Sequence, residues 1–196
     1  MLHELLKNKE FISAVHDFYR KHTKEVLDII LFGSSVKGKQ RPKDIDLLLL
    51  FRTREDLDVT YELRKKLKDF KIETQVISKT YFQLFDKNFR AREAFLGEGF
   101  SLIKRQFISE GLGYSNIALF KYELKGFPQS KRMRLQYAFY GRDKKSGIVK
   151  ELKLIKFSNT IFLCPVVNTE NLKEFFESWE IKFEEFPVLI PERILQ

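Results

Sequence analysis

Two aspartates, Asp44 and Asp46, flank Ile45 at the start of an apolar segment, and their spacing is suited to metal chemistry. In a β-strand, residues two apart project from the same face, so we expect the two carboxylates to lie side by side. Like charges this close repel and raise the pKa of each other. A divalent cation would neutralise both charges, and oxygen ligands favour Mg²⁺ or Mn²⁺. The pair therefore predicts a metal site.

A glycine and a serine, Gly33 and Ser34, come ten residues earlier and directly follow the apolar run 26–32. Glycine allows a sharp turn and the close approach of a phosphate. Serine then offers a hydroxyl and an amide at a position where anions bind well. The segment between the two motifs is basic, with Lys37, Lys39, Arg41 and Lys43. Together these features indicate metal-assisted phosphoryl chemistry, although the basic residues fit a solvated loop equally well.

The same segment also matches part of a P-loop. Gly33, Gly38 and Lys39 have the spacing of the G-x-x-x-x-G-K motif. Position 40 is Gln rather than Ser or Thr, so the hydroxyl that binds magnesium in a P-loop is missing. Pro42 then interrupts the helix that should begin there. The sequence therefore argues against a P-loop.

Alternating helices and strands are expected to position these residues. Helical spacing of apolar side chains predicts helices within 2–22, 54–69 and 79–97. Short apolar or alternating runs predict strands at 26–32, 45–51 and 71–78. The resulting α/β (α+β) arrangement is a sheet flanked by helices.

The pattern breaks around Gly111 and Gly113, where we place a domain boundary. The region beyond this break predicts strands at 115–123, near 148–157, at 159–166 and at 180–190, with helices at 129–141 and 170–179. The order β-α-β-β-α-β is that of the ferredoxin-like fold. We therefore predict two domains, residues 1–110 and residues 111–196, the second serving as an accessory or recognition domain.

The stretch from Gly33-Ser34 through nine residues to Asp44-Ile45-Asp46 resembles the nucleotidyltransferase superfamily that includes DNA polymerase beta, in particular its minimal nucleotidyltransferase branch. The strands before and after these motifs fit as well, and the resemblance covers roughly residues 10–100. Many members carry Ser just before the first aspartate, where this chain has Lys43. The resemblance implies an N-terminal mixed sheet flanked by helices.

The resemblance also implies roles for the motif residues. Ser34, next to Gly33, would hold the β- and γ-phosphates of a nucleoside triphosphate, with Lys37 and Lys43 as further nucleotide-binding candidates. Asp44 and Asp46 would bind two Mg²⁺ ions.

A third carboxylate, on a later strand, completes the metal site in this family. The corresponding strand here is 71–78, in which Glu73 and Gln75 share a face. Alignment with Glu73 completes a catalytic and metal-binding triad, and this is the alignment we favour. Alignment with Gln75 removes the third carboxylate, because an amide binds metal weakly and cannot act as a base.

Charge is distributed unevenly along the chain, whose net charge is +9. Residues 121–156 hold 11 Lys and Arg against 3 Asp and Glu, whereas residues 157–196 hold 3 against 7. A basic block of this kind favours a phosphate-rich partner such as RNA or DNA. Lys131, Arg132 and Arg134 are the candidate contacts, and a solvated surface is the alternative. A lone cysteine, Cys164, excludes a disulfide framework.

Together with the site residues, the resemblance implies an enzyme that transfers a nucleoside monophosphate from an NTP to an acceptor hydroxyl, on an RNA end or on a protein, with Mg²⁺ or Mn²⁺ as cofactor. By the same resemblance, a helical HEPN-type toxin is a candidate partner. The alternative is a catalytically weakened domain that binds nucleic acid or such a protein. No apolar run approaches the roughly 18 residues that a membrane span needs, so we expect a cytoplasmic protein.

Overall fold

The computed structural model describes residues 2–38, 44–70, 73–142 and 146–195. Within it the chain forms two compact units, Met1–Tyr114 and Ser115–Gln196, each with its own sheet. The roles predicted for residues 1–110 and 111–196 stay predictions. None of the helices in the described ranges is both long and apolar enough to cross a membrane.

The first unit is built around a five-stranded mixed sheet. Its strands are β1 (Val26–Phe32), β2 (Asp44–Phe51), β3 (Glu73–Thr80), β4 (Phe100–Ser101) and β5 (Gln106–Phe107), and its helices are α1 (Leu2–Lys7), α2 (Lys9–Lys21), α3 (Leu57–Lys68) and α4 (Arg92–Glu98). The strand order is β3-β2-β1-β4-β5, with β2 antiparallel to β1 and parallel to β3. The predicted mixed sheet with flanking helices is confirmed.

Helices α2 and α3 begin at side chains that cap them. The Asn8 side-chain oxygen accepts a hydrogen bond from the backbone N–H of Phe11 at 3.0 Å. Asp56 accepts in the same way from Asp58 and Val59. Such caps satisfy backbone donors that would otherwise be unpaired, and each contributes about 1 kcal/mol. The buried side chains of these helices are Phe11, Val15 and Phe18 in α2, and Thr60, Leu63 and Leu67 in α3.

The two faces of β2 differ in what they carry. Ile45, Leu47 and Leu49 alternate along one face and are fully buried. The opposite face starts with Asp44 and Asp46 and continues with Leu48 and Leu50, because side chains alternate along a strand. Beyond the aspartates that face is apolar and covered, since Leu48 and Leu50 pack in a cluster with Ile30, Leu84 and Phe95. The aspartates therefore stand at the polar end of an otherwise apolar sheet face.

The segment after β3 differs from its prediction. Helices were expected over 79–97, but β3 continues to Thr80, and the helical parts are a 3₁₀ turn at Phe82–Phe85 and α4. The short pair β4 and β5 was not predicted. Strands of two residues carry no periodicity, and they form because β4 pairs with both β1 and β5.

The second unit has the predicted ferredoxin-like topology. It contains β6 (Tyr114–Glu123), α5 (Gln129–Tyr140), α6 (Ile148–Glu151), β7 (Ile155–Ser158), β8 (Ile161–Pro165), α7 (Thr169–Ser178) and β9 (Lys182–Pro191). The sheet order is β7-β8-β6-β9, and β8 is antiparallel to both β6 and β7. Cys164 is fully buried in this unit, and burial raises the pKa of its thiol to about 12.

The strand predicted near 148–157 is wrong in its first half. Residues Ile148–Glu151 form a helical turn that follows Gly147. The backbone N–H groups of Lys150 and Glu151 donate to the Gly147 carbonyl, and Leu152 N donates to the Ile148 carbonyl. An alternation of apolar and charged residues over so few positions fits a strand and a short helix alike.

Candidate active site

The two aspartates, Asp44 and Asp46, occupy the first and third positions of β2. In the strand register, Asp46 lies opposite Phe32 of β1 and beside Gln75 of β3, and Asp44 lies beside Glu73. Both aspartates are half-buried. The structure therefore places the two carboxylates on one sheet face, at the end where β2 begins.

Gly33 brings the backbone of the turn against one of these carboxylates. Its φ angle is +77°, a left-handed conformation that L side chains rarely adopt. A Cβ atom at this position would lie 2.6 Å from Oδ2 of Asp46. The turn is tightened by a hydrogen bond from Val36 N to the Gly33 carbonyl and by one from Ser35 Oγ to the Phe32 carbonyl. The missing side chain of Gly33 is thus what allows the turn to approach Asp46.

Ser34 follows in the same turn and is half-buried. Within the described residues its hydroxyl makes no hydrogen bond, whereas the neighbouring Ser35 hydroxyl is used to hold the turn. The Ser34 hydroxyl is therefore free to donate to a ligand that enters beside Asp46.

The electrostatics of the aspartate pair favour a bound cation. The pKa of Asp46 is raised, first by burial of its carboxyl group and second by the charge of Asp44. A divalent cation between the two carboxylates would remove both causes, because it replaces lost solvation and cancels the repulsion. The donor set, two carboxylates beside an open glycine turn, fits Mg²⁺ or Mn²⁺.

The side chain of β3 that contacts the aspartate pair carries an amide rather than a carboxylate. Gln75 Nε2 donates a hydrogen bond to Asp44 Oδ2 at 2.8 Å. Glu73 is exposed at the first residue of β3. Among the described residues, no three His, Cys, Asp or Glu side chains are grouped to hold one metal ion. The catalytic and metal-binding role of Glu73 stays a prediction, and the observed contact is made two residues later.

The lysines predicted to bind nucleotide divide between described and undescribed residues. Lys37 forms an ion pair with Glu98, the last residue of α4, at 2.7 Å, and both side chains are largely buried. Lys39, Arg41 and Lys43 lie outside the described residues. Sequence reasoning missed Glu98, because its distance from Lys37 along the chain leaves no local signal of the pair.

The three candidate nucleic-acid contacts in α5 are placed differently from one another. Lys131 forms an ion pair with Glu180 at 3.0 Å and lies over the ring of Phe127. Arg132 donates to the backbone carbonyls of Phe127 and Leu124. Arg134 is exposed. Nucleic-acid binding by this helix stays a prediction, and two of its three basic residues have structural partners.

Gly33→Ala is expected to reduce any ligand- or metal-dependent activity strongly while leaving the rest of the fold in place. The new methyl group would overlap Asp46 Oδ2 and would force the turn out of its left-handed conformation. We expect a loss of Mn²⁺ binding in isothermal titration, with thermal unfolding lowered by only a few degrees.

Gly113→Ala is the matched control for the backbone effect. Gly113 also has a positive φ angle, +79°, but an added Cβ would meet no atom within 4 Å. Equal Mn²⁺ binding by the two variants would show that metal binding does not depend on the close approach of Gly33 to Asp46.

Comparison with known families gives a match over part of the chain. Residues 14–93 match the family described as polymerase beta, nucleotidyltransferase, and this range contains every residue of the candidate site except Glu98. No curated protein matches the sequence.

Several solved structures resemble the chain in part. A crystal structure of a toxin–antitoxin pair with AMP-PNP is 20% identical and covers 46% of this chain and 71% of its own, with a TM-score of 0.37. A structure of a tri-AMPylated Shewanella oneidensis HEPN toxin with its MNT antitoxin is 17% identical and covers 46% of this chain and 67% of its own, with a TM-score of 0.32. A MntA–HepT toxin–antitoxin structure is 17% identical and covers 46% of this chain and 68% of its own, with a TM-score of 0.33.

Proposed function

We propose that residues 14–93 form a nucleotidyltransferase domain of the polymerase beta family. On that premise, this chain transfers a nucleoside monophosphate from an NTP to an acceptor hydroxyl. The observation that carries the proposal is the placement of Asp44 and Asp46 on one sheet face with the Gly33 turn against Asp46. In this proposal, the two carboxylates and the Gly33 turn act on the same bound triphosphate.

Each residue of the site has a definite task in this proposal. Asp44 and Asp46 would hold Mg²⁺ or Mn²⁺, which supplies positive charge against the phosphate oxygens when bound. Gly33 leaves room for the triphosphate, and the Ser34 hydroxyl donates to one of its β- or γ-phosphate oxygens. Such chemistry depends mostly on positioning and charge neutralisation, which is why few side chains are needed.

The transfer step balances without a further reactant. The acceptor oxygen attacks the α-phosphorus, the bond from that phosphorus to the bridging β-phosphate oxygen breaks, and pyrophosphate leaves. The amide of Gln75 cannot accept the proton of the acceptor hydroxyl. We assign that proton to solvent water, because both aspartates are engaged with the metal ion in this proposal.

The contact between Gln75 and Asp44 also favours a second candidate function. In a domain whose third carboxylate is replaced by an amide, catalysis would be weakened and binding would be the main activity. The partner would then be a nucleic acid or a protein, such as a HEPN-type toxin of the kind named in the structures compared above. The same residues would bind nucleotide without transferring it.

Incubation with an α-labelled NTP separates the two candidates. The protein is given each of the four NTPs with Mg²⁺ or Mn²⁺, and total RNA or a HEPN-type protein serves as acceptor. The first candidate predicts label on an acceptor, and a γ-labelled NTP in the same reaction should label only pyrophosphate. Nucleotide binding without label on any acceptor, at enzyme concentrations near that of the acceptor, would support the binding function instead.

A further inference from the structure

A cavity of about 580 Å³ lies in the first unit, between β1, β2, α4 and the β4–β5 hairpin. Its walls are mostly apolar side chains, among them Ile30, Leu50, Leu84 and Phe95. Its volume is within the range of small-molecule sites, which is roughly 300 to 1,000 Å³. The cavity is distinct from the aspartate site, because no residue of the Gly33 turn and neither Asp44 nor Asp46 lines it.

The cavity nevertheless shares a sheet face with the aspartates. Along β2 the face runs from Asp46 through Leu48 to Leu50, and Leu50 pairs with Asp28 of β1. Leu50 is four positions after Asp46 on the strand, a distance of about 13 Å at the usual rise per residue. One continuous face therefore leads from the candidate active site to the cavity.

Asp28 is a buried carboxylate that lines this cavity and has no part in the aspartate site. Its residue is only 3% exposed, and it follows an irregularity in the β1 register between Val26 and Asp28. Oδ1 accepts two hydrogen bonds, from Ser101 Oγ and from Ile29 N, each at 2.8 Å. Oδ2 accepts none from the described residues.

Within the described residues, Asp28 Oδ2 is not one of the fully buried side-chain polar atoms that lack a hydrogen-bond partner, so it remains open to the cavity that Asp28 lines. Burial raises the pKa of Asp28, while its two hydrogen bonds and the charge of Lys104 act in the opposite direction. Both hydrogen bonds that tie Asp28 to the protein are accepted by Oδ1. Oδ2 is thus an acceptor available to a ligand that brings an N–H group into the cavity.

The lining of the cavity also includes exposed aromatic rings and two cationic side chains. Tyr81 and Phe85 are 46% and 72% exposed, and their rings meet edge to face with centroids 5.3 Å apart. Exposed aromatic rings of this kind provide a surface on which flat bases stack. Arg92 and Lys104 also line the cavity and supply two positive charges. A cation at these positions would favour an anionic group on the ligand.

We propose that this cavity binds a nucleoside phosphate, with an N–H group of the base donating to Asp28 Oδ2 and the phosphate held by Arg92 and Lys104. The base is enclosed by the apolar walls and the exposed aromatic rings, and the phosphate stays near solvent. This ligand chemistry has two sources, a free nucleotide and the terminal nucleotide of an RNA strand. The site would exist whether or not the chain transfers nucleotides.

Binding is tested with the full chain in the presence of EDTA, so that the aspartate pair holds no cation. Guanosine monophosphate is the probe, because guanine offers adjacent N–H donors on one edge, and isothermal titration or equilibrium dialysis is the measurement. Asp28→Asn keeps an oxygen for Ser101 and Ile29 but turns the cavity-facing atom into a donor. We expect it to weaken binding by about 10- to 100-fold, the usual effect of losing a hydrogen bond to a charged group.

Two further variants distinguish a loss of the binding site from a loss of the fold. Leu96→Trp fills the cavity at a residue that is 37% exposed, so it should abolish binding with little effect on thermal unfolding. Ser101→Ala removes one bond to Oδ1 and leaves Oδ2 in place, so it should retain most of the binding. Guanosine without its phosphate should bind about 10-fold more weakly, because the charges of Arg92 and Lys104 are then unused.

The source of the ligand is decided in the same experiment. A short RNA with a 3′-terminal guanosine that binds more tightly than the free nucleotide, and that Leu96→Trp also excludes, identifies the RNA end as the ligand. Tighter binding of the free nucleotide identifies the nucleotide itself. Absence of binding at millimolar guanosine monophosphate, or equal binding by wild type, Asp28→Asn and Leu96→Trp, overturns the proposal. Because no transfer is measured, these outcomes are independent of the proposed activity.

Discussion

Asp44→Asn and Asp46→Asn are each expected to lower the rate of NTP-dependent labelling by at least about 100-fold, the usual scale for removing one electrostatic contact to a reacting phosphate. Both changes remove a negative charge from the metal-binding pair while keeping the size of the side chain. The free energy of unfolding without metal should stay the same or rise slightly, because the repulsion that helps to raise the pKa of Asp46 disappears. The rate is measured with an α-labelled NTP, and Mn²⁺ binding by isothermal titration.

Asp69→Asn is the matched control for these two variants. Asp69 is exposed at the C-terminal end of α3 and makes no ion pair in the described residues, so the same chemical change there should leave both the rate and Mn²⁺ binding unaltered. Metal-dependent binding at wild-type strength in both aspartate variants would remove the basis for a metal site at the start of β2.

Gln75→Glu is expected to strengthen Mn²⁺ binding and to raise the rate of transfer, each by roughly 10-fold, since a carboxylate would replace the amide that now contacts Asp44. In the absence of metal, the variant should be less stable than the wild type. Three like charges would then meet on one sheet face without the hydrogen bond from Gln75 Nε2 to Asp44. Thermal unfolding with and without Mn²⁺ separates these two effects.

Glu73→Gln completes the comparison on the same strand. Because Glu73 is exposed and Gln75 makes the contact with Asp44, we expect this variant to keep the wild-type rate. Loss of activity in Glu73→Gln, together with no gain in Gln75→Glu, would assign the third ligand to Glu73, as the sequence favoured.

Local spacing is enough to predict the parts of the site that lie on one strand or one turn. Asp44 and Asp46 share a face because side chains alternate along β2, and Gly33 takes a positive φ angle as the turn requires. These features follow from neighbours in the sequence. The ferredoxin-like strand order of the second unit followed in the same way from the order of its elements.

Contacts between distant residues could not be predicted in this way. The choice between Glu73 and Gln75 depends on which of the two side chains reaches Asp44 from the neighbouring strand. Both residues lie on the same face of β3, so the alternation of side chains along the strand does not distinguish a carboxylate ligand from an amide. The cavity acceptor Asp28 depends on a register irregularity in β1 and on the pairing of β4, neither of which has a sequence signal. Two-residue strands such as β4 and β5 form only because other strands are already in place.

In the proposed function, a triphosphate bound beside the Gly33 turn would share the Lys37 ammonium group with Glu98, the ion-pair partner of Lys37. If that triphosphate displaced Glu98 from Lys37, its observed affinity would be lower than the intrinsic one by the free energy of the exchange. Glu98 ends the helix whose earlier turns line the cavity of Asp28. A cavity ligand that shifted this helix would therefore change the affinity of the proposed triphosphate site, and by thermodynamic reciprocity the triphosphate would change the affinity of the cavity for its ligand by the same factor.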